Sequence, residues 1–337
     1  MKKREYLMLK LRLTICALLA GFISAVNAGS PVAIAIHGGA GTILRSELNP
    51  EKEQRIRATL EQAVVAGHTV LANGGSSLDA VTAALTLLED SPLFNAGKGA
   101  VFNALGNNEL DASIMDGATL NAGAVASVRR IKNPILLAQK VMTDSPHVLL
   151  VGEGAEAFAR TVGIEIVEPE YFHTDFRWQQ LQKIKAREEL RSTYRDSWYS
   201  TVGAVALDQQ GNLAAGTSTG GTSNKRWGRI GDSPVIGAGT YANNKSCAVS
   251  ATGHGEFFIR SVVAYDICAR VQYNNQSLAE SARQVVQEEL VKIGGDGGII
   301  SIDQQGELVF EFNTPGMYRA AIDKHGQRTI AIYKNGD

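Results

Sequence analysis

The stretch "TVGAVALDQQGNLAAGTSTGG" (201–221) constrains the fold more tightly than any other part of the chain. Two apolar runs flank Asp-Gln-Gln-Gly, and the same four residues recur inside "SIDQQGELVF" at 301–310. Each reads as a β-hairpin closed by a three-residue loop whose glycine takes the left-handed conformation. With Asp208 and Asn212 closing the first loop, the register is fixed, because a slip of one residue would turn every side chain to the other face. That register sets Thr201 directly opposite Thr219. A threonine opening a strand is ordinary, since β-branched side chains suit extended backbone. The charged segment that ends at Ser200-Thr201 admits a second reading: a cut there would leave Thr201 as an N-terminus with a free amine.

At 337 residues, 44% apolar and 20% charged, the chain is long enough for one large domain or two small ones around a sizeable core. Its first 28 residues differ from the rest. Lys2, Lys3, Arg4, Lys10 and Arg12 precede the apolar run "LTICALLAGFISAV", and "VNA" supplies small residues behind it. This is the pattern of a secretory signal cleaved after Ala28, the apolar run being shorter than the ~20 residues of a spanning helix. The mature chain is therefore expected to be exported, periplasmic or secreted, and to have no membrane association once the signal is gone. Removing 1–28 takes away five basic residues and one acidic, leaving a chain of net negative charge. Nucleic acid is excluded as a partner, since it needs a basic face. Cys247 and Cys268 are too few for a disulfide scaffold and are read as two separate buried small hydrophobes. The histidines at 37, 68, 147, 173, 254 and 325 have no metal-ligand spacing, so no zinc or iron site is expected.

Along the chain, "PVAIAIHGGAG" predicts an alternating strand ending in a glycine turn. Asn49 caps a helix with Pro50 at its first position, apolar residues from Ile56 to Val70 follow at helical spacing, and Asn73-Gly74-Gly75 ends it. Ser77 opens a second helix that Ser91-Pro92 stops. Residues 110–128 read as two strands, and "NPILLAQKVMTD" as a helix. The segment 171–199 is dense in charge and aromatics with no sustained apolar face, and reads as a linker. Beyond the hairpin, the pattern predicts a strand near "SCAVSAT", helices at 256–271 and 277–293, and a last group of strands.

The chemistry gathers near the hairpin. "TSTGG" ends in two glycines, which permit close backbone approach. "GRIGDSP" then puts Arg229 and Asp232 on one tight turn, a guanidinium to fork a carboxylate and a carboxylate to take an ammonium, as an amino-acid substrate would require. "ATGHGE" supplies Thr252, Gly253 and Gly255 at a strand end just before a helix, where backbone N–H groups suit an oxyanion. A freed α-amine on Thr201, with a pKa of about 7.7 to 8, would serve as base for its own hydroxyl.

Taken together, "IAIHGGAG", "LLEDSPLFNAGKGAVFN", "LDASIMDG", "NAGAVASV", "TVGAVALD", "TSTGG", "GRIGDSP", "GAGTYANN" and "ATGHGE" make the chain resemble the plant-type asparaginases and isoaspartyl peptidases, which are N-terminal nucleophile hydrolases. The resemblance runs along nearly all of the mature chain. It implies an α+β fold, a four-layer αββα sandwich, made as a precursor and self-cleaved into 29–200, with a flexible linker at about 171–200, and 201–337. It implies assembly as a dimer of such heterodimers. Carried over by position, Thr201 is the nucleophile and Thr219 the second threonine. Thr252 and Gly253 match the oxyanion hole, and Arg229 and Asp232, with Gly253 and Gly255, match the substrate clamp; Asn95 lies close to the nucleophile. The carbonyls of Leu88, Glu89, Ser91, Phe94, Ala96 and Lys98 match a sodium-binding loop, and no cofactor is implied for catalysis. The family usually has glycine before the nucleophile, where this chain has Ser200.

Other readings remain beside it. "HVLLVGEGAEAFA" places Gly152, Gly154 and Ala157 between an apolar strand and a helix, but the acid expected of a dinucleotide fold falls at Glu168 without further strand–helix repeats, and NAD is not expected. An exported amino-acid-binding protein could use Arg229 and Asp232 without any cut. Among hydrolases, glycosylasparaginase is the nearest rival, and the sequence does not rank free asparagine against β-aspartyl dipeptides.

Overall fold

The computed structural model describes residues 31–189 and 201–334. The expected signal segment and Ser200 lie outside these residues. Among these described residues, twelve strands form two sheets. In chain order they are β1 (Ala33–Gly41), β2 (Leu110–Asp116), β3 (Ala122–Val128), β4 (Leu149–Val151), β5 (Val202–Leu207) and β6 (Leu213–Thr219), then β7 (Thr240–Ala242), β8 (Cys247–Gly253), β9 (Gly297–Asp303), β10 (Leu308–Phe312), β11 (Gly316–Ile322) and β12 (Arg328–Tyr333). The larger sheet runs β12-β11-β1-β5-β6-β2-β3-β4 and the smaller β10-β9-β8-β7. Every pair is antiparallel except β3 with β4.

The principal helices are α1 (Pro50–Ala72), α2 (Ser77–Glu89), α3 (Pro134–Asp144), α4 (Gly152–Thr161), α5 (Asp175–Glu189), α6 (Gly255–Ser261) and α7 (Val263–Asn274). An eighth, α8, starts as Leu278–Arg283, passes through a π-helical turn at Gln284–Glu289 and ends as Leu290–Lys292. The helix starts follow the expected capping chemistry. Asn49 accepts the Lys52 N–H at 2.7 Å with Pro50 behind it, and Ser76, one residue before the expected start, accepts the Asp79 N–H at 3.1 Å.

Three apolar clusters hold these elements. One joins α1, α2 and α3 to the larger sheet through residues such as Leu60, Leu85, Ile135, Ile34 and Val202. A second lies between the sheets, with Ala33, Val205 and Ala215 from one and Ala248, Ile300 and Ile302 from the other. The third covers the smaller sheet with α6, α7 and α8, through Phe258, Ile267 and Val286. The abundance of alanine in the middle cluster has a physical reason: small side chains let two sheets approach closely.

Both hairpins have the expected loops. Asp208 N–H donates to Asn212 O at 3.1 Å and Asp303 N–H to Glu307 O at 3.2 Å, with Gly211 (φ +78) and Gly306 (φ +75) left-handed. Val202 pairs with Ser218, so Thr201 and Thr219 face each other as the register requires.

Four expectations need correction. Strand β1 does not stop at a glycine turn: it continues through Gly38, Gly39 and Gly41 with a bulge after His37, and it is buried throughout rather than on one face. Of the linker segment, the described part up to Glu189 contains a helix: α5 buries Arg177 and Leu181 while its other described side chains stay partly or fully exposed, and Phe172 packs just before it, so two inward positions one turn apart give no sustained apolar face to read. The helix expected at 256–271 is two helices, divided at Val262, which is left-handed (φ +49). Cys247 and Cys268 are not separate hydrophobes but a disulfide, Cα atoms 5.3 Å apart, joining β8 to α7. Both are buried as expected; the packing of that helix on that strand is what brings them together.

Candidate active site

Thr201 and Thr219 arrive from the open end of the β5–β6 hairpin, their Oγ atoms 3.0 Å apart. Both are nearly inaccessible, 7% and 2% exposed. The Gly221 N–H donates to Thr219 Oγ at 3.0 Å, leaving the Thr219 hydroxyl proton free to face Thr201. The two glycines of "TSTGG" do provide close approach: a Cβ at Gly220 would lie 2.6 Å from Asn95 Oδ1 and 2.8 Å from Ala100 Cβ. Asn95 stands one shell behind the threonines. Its side chain donates to Gly221 O at 2.6 Å and accepts the Val101 N–H at 2.9 Å.

The backbone of Thr201 is held by His37. Its Nδ1–H donates to Thr201 O at 2.9 Å, which leaves Nε2 to accept the Ser250 hydroxyl at 3.1 Å. Burial pushes the His37 pKa down to about 3, so the ring is neutral, as this tautomer needs. Behind Ser250 runs a buried chain of hydroxyls: Thr217 at 2.6 Å, then Thr240 at 2.6 Å, then Ser113 at 2.7 Å.

A small cavity is lined by Thr201, Thr219, Gly221, Arg229, Asp232 and Gly253, among others. Asp232 is 4% exposed, and its Oδ2 has no hydrogen-bond partner among the described residues. Burial pushes this carboxyl up to about 7, with the nearby Arg229 charge opposing. Arg229 does not pair with Asp232. It donates from Nε and Nη2 to the two carboxylate oxygens of Glu256, both at 2.9 Å, and His254 Nε2 lies 3.3 Å from the same carboxylate. Gly255 fits against both Asp232 and Arg229, since a Cβ there would sit 2.8 Å from Asp232 Oδ1 and 2.9 Å from Arg229 Nη2. Thr252 lies at the end of β8 beside Gly253, fully buried, its Oγ accepting the Ala40 N–H at 3.3 Å.

The family model for asparaginase matches residues 30–332. The chain belongs to the asparaginase family. It is 53% identical over 309 residues to an isoaspartyl peptidase of Escherichia coli, covering 89% of this chain and 96% of that protein. An isoaspartyl peptidase of Salmonella typhimurium is 51% identical, covering 89% and 98%. The mouse isoaspartyl peptidase/L-asparaginase is 41% identical, covering 89% and 90%.

In this asparaginase-family chain the fold brings the sequence-predicted Thr201, Thr219, Arg229, Asp232 and Gly253 to one cavity, with Asn95, Thr252 and Gly255 immediately behind. His37, Ser250 and Glu256 were not predicted from the sequence. No signal marks the first two, because their roles exist only where β1, β5 and β8 meet; Glu256 stood in the quoted "ATGHGE" as an acid one residue after the glycine that touches the clamp. In the sodium-loop stretch, Glu89 is fully buried and accepts from Ser218 Oγ at 2.6 Å and the Ile135 N–H at 3.0 Å. Burial pushes its carboxyl up to about 8. A larger cleft of about 760 Å³ opens beside Arg129, Glu156 and Gly152 at the start of α4, and none of the predicted site residues lines it.

Proposed function

We propose that this chain is a self-activating amidohydrolase that releases L-aspartate from L-asparagine and from β-aspartyl dipeptides, built as a four-layer αββα sandwich of the N-terminal nucleophile type. The observation that carries the reading is a single cavity holding a threonine hydroxyl 3.0 Å from a second one, a guanidinium, and a buried carboxylate oxygen with no partner among the described residues. The relatives' names support the same chemistry. An unpaired buried carboxylate is costly unless something arrives to meet it, and a substrate α-ammonium does so. Arg229 keeps its Nη1 side for the substrate α-carboxylate while Glu256 grips the other edge.

In the first step Thr201 Oγ attacks the carbonyl carbon of residue 200, the peptide C–N bond breaks and frees the Thr201 amine, and water hydrolyses the resulting ester, restoring the Thr201 hydroxyl and leaving a carboxylate on residue 200. That amine takes the proton of its own hydroxyl in the second step. Oγ then attacks the substrate's side-chain amide, ammonia or an amino acid departs with a proton, and water hydrolyses the ester to aspartate. Thr219 Oγ, held by Gly221, orients the nucleophile, and Thr252 with Gly253 stabilises the oxyanion.

The loop from Leu88 to Lys98 fits a sodium ion. At Gly97 (φ +47) a Cβ would lie 2.2 Å from Glu89 O, and at Gly99 it would lie 2.0 Å from Phe94 O, so only glycines let these two carbonyls close in. The carbonyls of Leu88, Glu89, Ser91, Phe94, Ala96 and Lys98 would hold the ion, whose charge would fix a loop of oxygens otherwise mutually repelling. The disulfide supports export to an oxidising compartment. Ammonia release from asparagine and cleavage of a β-aspartyl dipeptide, assayed on one preparation, test the proposal. Aspartate is expected from both, and its absence from both would overturn the reading.

A further inference from the structure

Arg177 stands in α5, in the stretch whose charge density argued for a linker, yet it is 3% exposed. Arginine is rarely buried so deeply without a carboxylate. Among the described residues none pairs with it: Nε donates to Gly99 O at 2.8 Å and Nη1 to Gln180 Oε1 at 3.1 Å. Burying a guanidinium against neutral acceptors costs more than the two hydrogen bonds return. Folding alone gives no reason to keep it there.

The Gly99 carbonyl leads to the threonines by short steps. Two residues on, the Val101 N–H is held by Asn95 Oδ1 at 2.9 Å. Asn95 Nδ2 donates to Gly221 O at 2.6 Å, Gly221 N–H donates to Thr219 Oγ at 3.0 Å, and Thr219 Oγ lies 3.0 Å from Thr201 Oγ. The same loop is braced from the same side, where the Phe102 ring meets Trp178 of α5 and His173 edge-on, centroids 5.2 and 5.0 Å apart.

We propose that Arg177 is a positioning residue: by holding the Gly99 carbonyl it fixes loop 95–101 and, through Asn95 and Gly221, the direction in which the Thr219 hydroxyl faces the nucleophile. Helix α5 then belongs to the support of the active site and stays docked after the cut at Thr201. This rests on Thr201 being the nucleophile. It adds a residue that touches neither substrate nor threonine.

Arg177→Met replaces the guanidinium with an apolar chain of comparable length. The expected result is a melting temperature equal to or above that of the wild type, kcat lowered at least ten-fold on asparagine and on a β-aspartyl dipeptide alike, and KM changed less than two-fold because Arg229 and Asp232 are untouched. Arg177→Lys, which still offers one N–H to Gly99 O, should recover part of the lost kcat. Wild-type turnover is measured first. Its absence would sink the amidohydrolase reading, and Arg177 would then be judged on precursor cleavage, which needs no substrate and which the Met variant should slow. The proposal is overturned if the cleaved Met variant keeps kcat within two-fold of wild type, if kcat falls only as far as the melting temperature does, or if neither variant is recovered folded, which would make Arg177 a folding element.

Discussion

At the scale of single residues, the site is a set of groups held in states that water would not allow. Glu256 occupies the Nε edge of Arg229 and orients the fork toward the cavity. Glu256→Gln should therefore raise KM by roughly ten-fold, or about 1.4 kcal/mol, with little change in kcat, whereas Arg229→Ala should lose both clamp and orientation; steady-state kinetics separate the two. Asp232 carries its own pH signature. Its carboxyl is pushed up to about 7 by burial, so kcat/KM should rise as pH passes that value and the carboxylate becomes able to meet the substrate ammonium. Stability moves the other way, since a raised folded pKa favours the protonated form. The stabilisation is complete below an unfolded carboxylate's pKa of about 4 and is lost as pH climbs through about 7. The ligand-free enzyme should melt lower at pH 8 than at pH 6, and Asp232→Asn should shrink that gap in thermal melts. In the proposed self-cleavage, Ser200 supplies the carbonyl that Thr201 attacks. The attack needs a bent backbone that glycine reaches freely and an L-residue reaches at a cost on the order of 1 to 2 kcal/mol, so Ser200→Gly should mature about ten-fold faster with unchanged activity per cleaved molecule. A gel time course showing equal or slower maturation would indicate that serine is already well placed.

At the scale of elements, the hairpins were legible because turn chemistry is local: Asp-Gln-Gln-Gly sets a loop, and the loop sets the register that opposes Thr201 and Thr219. Helix starts were legible to within a residue for the same reason, through Asn49 and Ser76. What could not be read depends on neighbours distant in sequence. Helix α5 looks like a charged linker until Phe102 and the Gly99 carbonyl are beside it. His37 and Ser250 are 213 residues apart and meet only in the folded sheets. The disulfide depends on α7 lying over β8, with a sequence separation of 21 residues. Closing a loop of that size stabilises by about 3 kcal/mol in the chain-entropy view. Replacing Cys247 and Cys268 together by alanine should lower the melting temperature by roughly 5 to 10 °C, measured by calorimetry, while the cavity residues at the far end of β8 keep their kinetics.

At the scale of the whole molecule, two sheets packed through alanine-rich faces bring together groups from both sides of residue 200: His37 and Asn95 from before it, Thr201, Arg229, Asp232 and Gly253 from after it. Such an arrangement tolerates a break at Ser200-Thr201, because pairing of β1 with β5 and β11 holds the two parts to one another without the peptide bond. The most direct test is intact mass and N-terminal sequencing of the purified protein and of Thr201→Ala, alongside turnover of a β-aspartyl dipeptide. The account predicts two chains for the wild type, one beginning at Thr201, with activity, and a single uncut, inactive chain for the alanine variant. A fully active wild type with an intact Ser200-Thr201 bond would contradict it.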